Sequence, residues 1–238
     1  RSLCVMTNGS LVAGGDFQFA GSSLASNIAL WDGNTWSEVG GGTDGPVYAL
    51  AVMPGGDIAV GGAFTQVGST AVNNIGAWNG VAWMTLGAGF SAAVSSLNVT
   101  PTGELVAGGY FAATNGNPGN HVARWTGAAW SNMGSGLNAY VTTLETMANG
   151  DLVAGGAFSQ AGGQQANRIA RWNGSAWSGF GSGLNAEVYD VAVLSTGDLV
   201  ACGSFSMAGG ASCQRVARWN GGSWSPLGIG LSSFSTPY

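Results

Sequence analysis

The sequence predicts an all-β protein built from one four-stranded unit repeated five times, and three observations lead there. All ten Trp fall into two series of constant spacing. Trp31, Trp78, Trp125, Trp172 and Trp219 are 47 residues apart, and Trp36, Trp83, Trp130, Trp177 and Trp224 each follow five residues behind. The same register aligns Gly9, Gly56, Gly103, Gly150 and Gly197, then Phe17, Phe64, Phe111, Phe158 and Phe205, without insertion or deletion. Apolar runs are of strand length and are broken by some of the 43 Gly. Copies thus occupy 1–47, 48–94, 95–141, 142–188 and 189–235, with Thr236, Pro237 and Tyr238 left over. A fixed period of this size marks a supersecondary unit that cannot bury its faces alone and stacks on copies of itself, so residues 1–238 are expected to form a single domain.

Each element of the repeat has a sequence reason. The opening run, Tyr48–Met53 or Tyr189–Leu194, is of β type. It ends at Asn8-Gly9, Gly55-Gly56, Thr102-Gly103, Asn149-Gly150 or Thr196-Gly197, where Gly permits the positive φ of a tight hairpin. Asp57, Glu104, Asp151 and Asp198 follow that Gly and read as turn residues. A second strand, Leu11–Gly15 and its copies, is apolar without alternation, as expected when both faces are covered. A longer polar loop comes next, Asp16–Ser26 in the first copy and Ala157–Asn167 in the fourth. The third strand, such as Arg168–Trp172, leads to a second tight turn at Asp32-Gly33 or Asn173-Gly174, and the fourth strand ends at Val39 or Phe180.

Four antiparallel strands per repeat make a propeller blade. Small residues on the first two strands and both Trp on the outer two give a wedge, which closes into a ring. A ring leaves no long sheet edge open, whereas a linear stack would need polar capping repeats. The expectation is a five-bladed β-propeller with 47-residue blades, its ends meeting where Thr236–Tyr238 fall in register with Arg1–Leu3.

Composition excludes several classes of function. Only 7% of residues are charged, none is Lys, and the net charge is −5 with six Arg, so nothing favours nucleic acid or membrane insertion. His121 is the sole His, which is a poor supply of metal ligands, and no nucleophile motif flags a Ser. A non-enzymatic protein without cofactor or metal is expected, although two of Asp16, Glu38, Asp44, Glu145, Glu187 and Asp190 could meet as a carboxylate pair. In the fifth repeat Cys202 replaces the Gly of Gly14, Gly61, Gly108 and Gly155, and Cys213 replaces Ala25, Val72, Gly119 and Ala166. Two departures in one copy suggest either a disulfide, which belongs to an oxidising compartment, or two unrelated small buried residues. The chain opens on Arg1 rather than Met, as expected if a leader has been removed or lies outside this sequence.

A resemblance adds to this reading. Gly155-Gly156 after an apolar strand, Trp172, and Trp177 five residues on resemble the kelch repeat. The fuller string of Gly156-Ala157-Phe158, Asn167–Trp172, Trp177 and Gly181-Ser182-Gly183-Leu184 is similar to the kelch-like repeats of cortical cell-polarity marker proteins, displayed at cell surfaces. In length and copy number the chain also resembles five-bladed lectins of the tachylectin type, whose sugar-contacting residues find no match here. The resemblance implies a β-propeller with a binding or scaffolding role, secreted or at the cell surface.

Candidate ligand-binding residues follow from loop length. The long loop and the connection between blades emerge on one face, where repeats diverge and function concentrates. The third strand begins with Asn27, Asn74, His121, Arg168 and Arg215, and three residues later come Leu30, Ala77, Arg124, Arg171 and Arg218. With Tyr140, Gln164, Gln165 and Tyr189, the set His121, Arg124, Arg168, Arg171, Arg215 and Arg218 forms a polar and aromatic patch suited to glycan hydroxyls or a surface protein. The plain alternative is that these Arg pair with neighbouring carboxylates or carbonyls. The ten Trp read as packing between repeats rather than sugar platforms.

Overall fold

The computed structural model describes residues 1–112 and 120–231. The chain divides into two compact units, Arg1–Gly136 and Leu137–Tyr238. All regular structure among the described residues is β. Among the described residues the first unit holds three four-stranded antiparallel sheets, each in chain order. Their strands are Ser2–Val5, Leu11–Gly14, Ile28–Trp31 and Trp36–Glu38; Val47–Val52, Ile58–Gly62, Ile75–Trp78 and Trp83–Thr85; and Val94–Val99, Leu105–Gly109, Val122–Trp125 and Trp130–Asn132. The second unit holds two, Val141–Thr146, Leu152–Gly156, Ile169–Trp172 and Trp177–Gly179, then Val188–Val193, Leu199–Gly203, Val216–Trp219 and Trp224–Pro226. Each sheet thus lies within one 47-residue repeat. The expected meeting of Thr236–Tyr238 with Arg1–Leu3 lies outside the described residues.

Within each unit the first strands of successive sheets lie side by side. The Gly pair ending the second strand makes this possible. A Cβ on Gly61 would stand 2.6 Å from Val94 Cγ1, and one on Gly155 would stand 2.7 Å from Val188 Cγ1, both on the next sheet's first strand. The second Gly of the pair approaches backbone instead: a Cβ on Gly62 or Gly156 would stand 2.2 Å from the carbonyl oxygen of Pro46 or Tyr140.

The Trp series acts at the other edge of each sheet. Trp31–Trp36, Trp78–Trp83, Trp125–Trp130, Trp172–Trp177 and Trp219–Trp224 face each other across the third and fourth strands. Their ring centroids are 5.3–5.5 Å apart with tilted planes, the geometry aromatic pairs favour. The second Trp also reaches the preceding sheet, because the indole N–H of Trp83, Trp130 and Trp224 donates to the carbonyl of Gly40, Leu86 and Phe180 at 2.9 Å. These indoles join sheet to sheet. Phe64, Phe111, Phe158 and Phe205, which follow the second strand, are buried.

The long loop is more ordered than its polar composition predicts. It carries a small hairpin of its own: Phe19–Ala20 with Ser23–Leu24, Gln66–Val67 with Thr70–Ala71, Gln160–Ala161 with Gln164–Gln165, and Met207–Ala208 with Ala211–Ser212. One buried residue of this hairpin, Val67, Ala161 or Ala208, bridges to Thr43, Leu137 or Leu184 in the preceding connection. Two-residue strands are too short for hydrophobic alternation to reveal them.

The disulfide expectation is corrected, because Cys202 and Cys213 are both free thiols. Cys202 stands in the sheet opposite Asp190 and Val216. Cys213 lies outside it, beneath the small hairpin, where its backbone N–H donates to Ser206 and its side chain packs with Phe205 and Ala208. Two small thiols serve two separate packing sites. Cys4 is also free, and burial pushes its thiol up to about 11.

Candidate functional site

The third strand of every repeat opens on a residue in the left-handed region. These are Asn27, Asn74, His121, Arg168 and Arg215, with φ between 62° and 68°, and none is Gly. Their backbone explains the conformation: each N–H donates to the Phe of the long loop, and each carbonyl accepts from the second Gly of the pair, as in Arg168 to Phe158 at 2.8 Å and Gly156 to Arg168 at 3.0 Å. The kink closes the long hairpin. Asn tolerates it, and here adds a fold-stabilising bond, because Asn27 and Asn74 donate their amides to the carbonyls of Thr43 and Phe90 at 2.9 Å. An Arg there carries the same backbone strain, and Arg168 offsets it with a different internal bond, its guanidinium donating to the carbonyl of Ala157; strain of this kind gathers at functional sites.

Arg168 borders a pocket of about 370 Å³. Asn167, Ser182, Leu184, Asn185 and Met207 complete the principal wall. The guanidinium donates to the carbonyl of Ala157. Two Asn hold the pocket's rim. Asn167 donates to Ser182 O at 2.9 Å, and Asn185 accepts from the backbone N–H of Ser206 and Met207 while donating to Ser206 Oγ at 3.0 Å. The rim recurs in the first unit, where Asp44 accepts from Thr65 and Gln66. Although burial works the other way, the Thr65 hydroxyl and the two N–H groups hold the Asp44 carboxyl below the usual range.

The structure separates the sequence-predicted residues into groups. Arg168 and Arg215 open the third strands of the second unit's two sheets. Gln164 and Gln165 are exposed on the small hairpin beside that end of the sheet. Tyr140 precedes the first strand of that sheet, and Tyr189 is the extra residue of a bulge between Val188 and Asp190, 54% exposed. Bulges re-aim side chains in this way. His121 belongs to the first unit, where its Nδ1 lies 3.3 Å from Gly109 O. Burial lowers its pKa, so the imidazole is neutral at pH 7.

Arg124, Arg171 and Arg218 stand elsewhere. Three residues further along the strand, they reach the carboxylates that follow the first tight turn: Arg124–Glu104 at 3.3 Å, Arg171–Asp151 at 3.8 Å and Arg218–Asp198 at 2.5 Å. Their guanidinium groups thus serve the tight-turn end of each sheet. The Thr196 hydroxyl, together with Arg218, holds the Asp198 carboxyl low. Sequence reasoning missed Asn167, Asn185 and Met207. A signal existed for the first, since Asn73, Asn120 and Asn167 stand one period apart.

One pair of carboxylates interacts electrostatically. Glu145 and Asp190 interact from neighbouring first strands of the second unit, and burial, aided by the Asp190 charge, raises the pKa of Glu145. Thr143 Oγ1 donates to Asp190 at 2.9 Å. Among the described residues no group of three or more His, Cys, Asp or Glu could hold a metal ion, and no helix is long and apolar enough to cross a membrane.

Comparison with known proteins agrees with the repeat. The profile of a domain of unknown function, the DUF5122 beta-propeller, matches residues 100–125 and 148–174. Both matches span the first tight turn through the first Trp of their repeat, Gly103 to Trp125 and Gly150 to Trp172. No curated protein matches the chain. Among solved structures it is similar to the WD40 beta propeller domain of Doa1, at 12% identity and TM-score 0.59 over 96% of this chain and 82% of that one. It is similar to virginiamycin B lyase from Staphylococcus aureus, at 12% identity and TM-score 0.57 over 95% and 69%. It also matches the extracellular domain of the putative one component system BT4673 from B. thetaiotaomicron, at 11% identity and TM-score 0.54, covering 84% of this chain but a quarter (25%) of that one. The likeness is one of fold: the chain is a β-propeller repeat protein.

Proposed function

We propose that the chain is a non-enzymatic binding module, secreted or displayed at the cell surface, that takes a glycan at the long-loop end of its sheets. In this reading the five sheets are five blades of one ring, and residues 1–238 form a single domain of the kelch-like kind. The observation that carries the proposal is the pocket around Arg168, of about 370 Å³, within the ~300–1,000 Å³ usual for small-ligand sites. Its Arg and Ser suit sugar hydroxyls, and its Leu184 and Met207 suit an apolar sugar face. Arg168 keeps the positive φ of Asn74 but carries a longer cationic side chain that borders the pocket, which supports a role beyond closing the turn. Repetition would give several weak equivalent sites whose linkage raises avidity.

The alternative is a protein-interaction scaffold with no small ligand. It draws support from the Asn residues of this end, since Asn73, Asn120, Asn167 and Asn185 all hold backbone or Ser oxygens within the fold. A glycan array decides between them. Binding that free sugar competes away, and that Arg168→Asn abolishes, supports the module. Silence on the array together with a stable protein complex supports the scaffold.

A further inference from the structure

At the tight-turn end the repeats form a natural series of variants. In the third, fourth and fifth repeats a trio stands on one side of the sheet: a carboxylate after the turn, an Arg on the third strand and a Ser opposite it on the fourth. Arg124 faces Ser131, Arg171 faces Ser178 and Arg218 faces Ser225. Nε of the first two Arg donates to the Ser hydroxyl at 3.3 Å and 3.1 Å, and all three Arg pair with their carboxylates. The second repeat keeps the carboxylate, Asp57, and loses the other two. Ala77 faces Met84 where Arg faces Ser elsewhere, and Ala77 is fully buried. Among the described residues no side-chain hydrogen bond or ion pair reaches Asp57.

Asp57 borders a pocket of about 430 Å³ between the second and third sheets of the first unit. Met53, Pro54, Leu105, Trp125 and Glu104 line it with Asp57. Glu104 is already held by Arg124, so the pocket has one carboxylate without a side-chain partner, set between apolar residues such as Met53, Pro54 and Trp125 and the polar Thr102 and Thr126. In the fourth repeat Arg171 extends from the same strand position to Asp151. The fold itself therefore shows which group fits the carboxylate at this station, and in the second repeat that group is missing.

We infer that this pocket receives an arginine side chain from a partner protein. The guanidinium would meet Asp57 as Arg171 meets Asp151, its planar fork matching a carboxylate in a way a Lys ammonium does not. Its aliphatic stem has Met53 and Pro54 to cover, and the Trp125 indole offers a surface on which a guanidinium stacks. A chain of net charge −5 draws a cationic partner at long range. The site lies at the tight-turn end of its own two sheets and shares no residue with the Arg168 pocket, so it does not depend on the glycan proposal.

The test uses the full chain with acetyl-arginine-amide as probe and acetyl-citrulline-amide, which has the same shape without the charge, as control. The indole N–H resonance of Trp125 is followed by NMR. The arginine probe should shift it saturably at about 1–10 mM, with the citrulline probe at least about tenfold weaker. Asp57→Asn should weaken the arginine probe by a similar factor. The double variant Ala77→Arg/Met84→Ser installs the trio of the third repeat and should close the site. Should that double variant fail to fold, as judged by its circular dichroism melt, Asp57→Asn alone decides. No saturable shift with the arginine probe, equal binding of the citrulline probe, or unchanged affinity in Asp57→Asn overturns the inference.

Discussion

The second and fourth repeats run through the same strands, turns and kink, yet they fill three positions differently. At the kink Asn74 and Arg168 share nearly one φ, 62° and 68°, and the same backbone bonds. Asn74 turns its amide inward to Phe90 O, whereas Arg168 borders a pocket. On the third strand Ala77 packs beside Met84, whereas Arg171 bonds Ser178 and Asp151. On the first strand Ala51 is apolar where Glu145 carries a charge. The backbone is dictated by the repeat, and these side chains are not. Positions where the fold accepts either choice are those where a repeat can acquire a task of its own.

The largest expected effect tests what the two repeats share. Gly62→Ala and Gly156→Ala each drive a Cβ toward a backbone carbonyl at 2.2 Å, which cannot rotate away. Both should lose about 3 kcal/mol in chemical denaturation, by the same amount within error. Clearly unequal losses would mean that the two sheets are not built alike.

A smaller effect separates the kinks. Asn74→Arg should cost about 1 kcal/mol, because it loses the bond to Phe90 O and places a long side chain at positive φ. Arg168→Asn relieves strain at positive φ but loses the bond to Ala157 O, so it should change stability by less than about 0.5 kcal/mol while removing ligand binding. If Arg168→Asn destabilises the chain by more than that, the Arg serves the fold and the functional reading of its strain fails.

The ion pairs rank lower still. Asp151→Asn should cost at most about 0.5 kcal/mol in low salt, because Arg171 is nearly half exposed, and the difference should shrink as salt rises. Asp57→Asn, with no internal Arg to lose, should leave stability unchanged at any salt. A matching loss at Asp57 would reveal an internal partner.

The least effect is one of pH. Burial, with the Asp190 charge adding to it, raises the pKa of Glu145 above its ordinary 4.5, so the folded chain holds that proton more tightly than the unfolded one. The contribution of Glu145 to stability is therefore full below 4.5 and is lost as pH rises through the higher folded value. Glu145→Gln should raise the melting temperature by about 1–2 °C at pH 7 and by nothing at pH 4. The corresponding residue Ala51 has no such titration, and a pH-independent gain in Glu145→Gln would assign the effect to packing instead.

Much of this was legible in residues 1–238. The Trp spacing gave the repeat, Asn-Gly and Asp-Gly gave the turns, and the apolar second strand gave burial on both faces, because each is a local pattern with a local cause. The kink at Arg168 was located by register, but its positive φ was not, since Arg gives no sign of a conformation that Gly or Asn would advertise. The small hairpins of the long loop were hidden by their shortness. Arg124, Arg171 and Arg218 were grouped with the long loop by sequence order, although three residues of strand, at about 3.3 Å each, carry them toward the far end of the sheet.

What the sequence determined by itself is periodicity: strand, turn, strand, long loop, strand, turn, strand, with one Trp on each side of the second turn. Tertiary structure decided which polar side chains hold the fold and which border pockets. That division depends on the neighbours a side chain meets across sheets and on the carboxylate within its reach. Asp57 and Asp151 occupy equivalent places in the repeat, and only the packing of Met84 against Ala77 leaves one of them facing a pocket without an arginine.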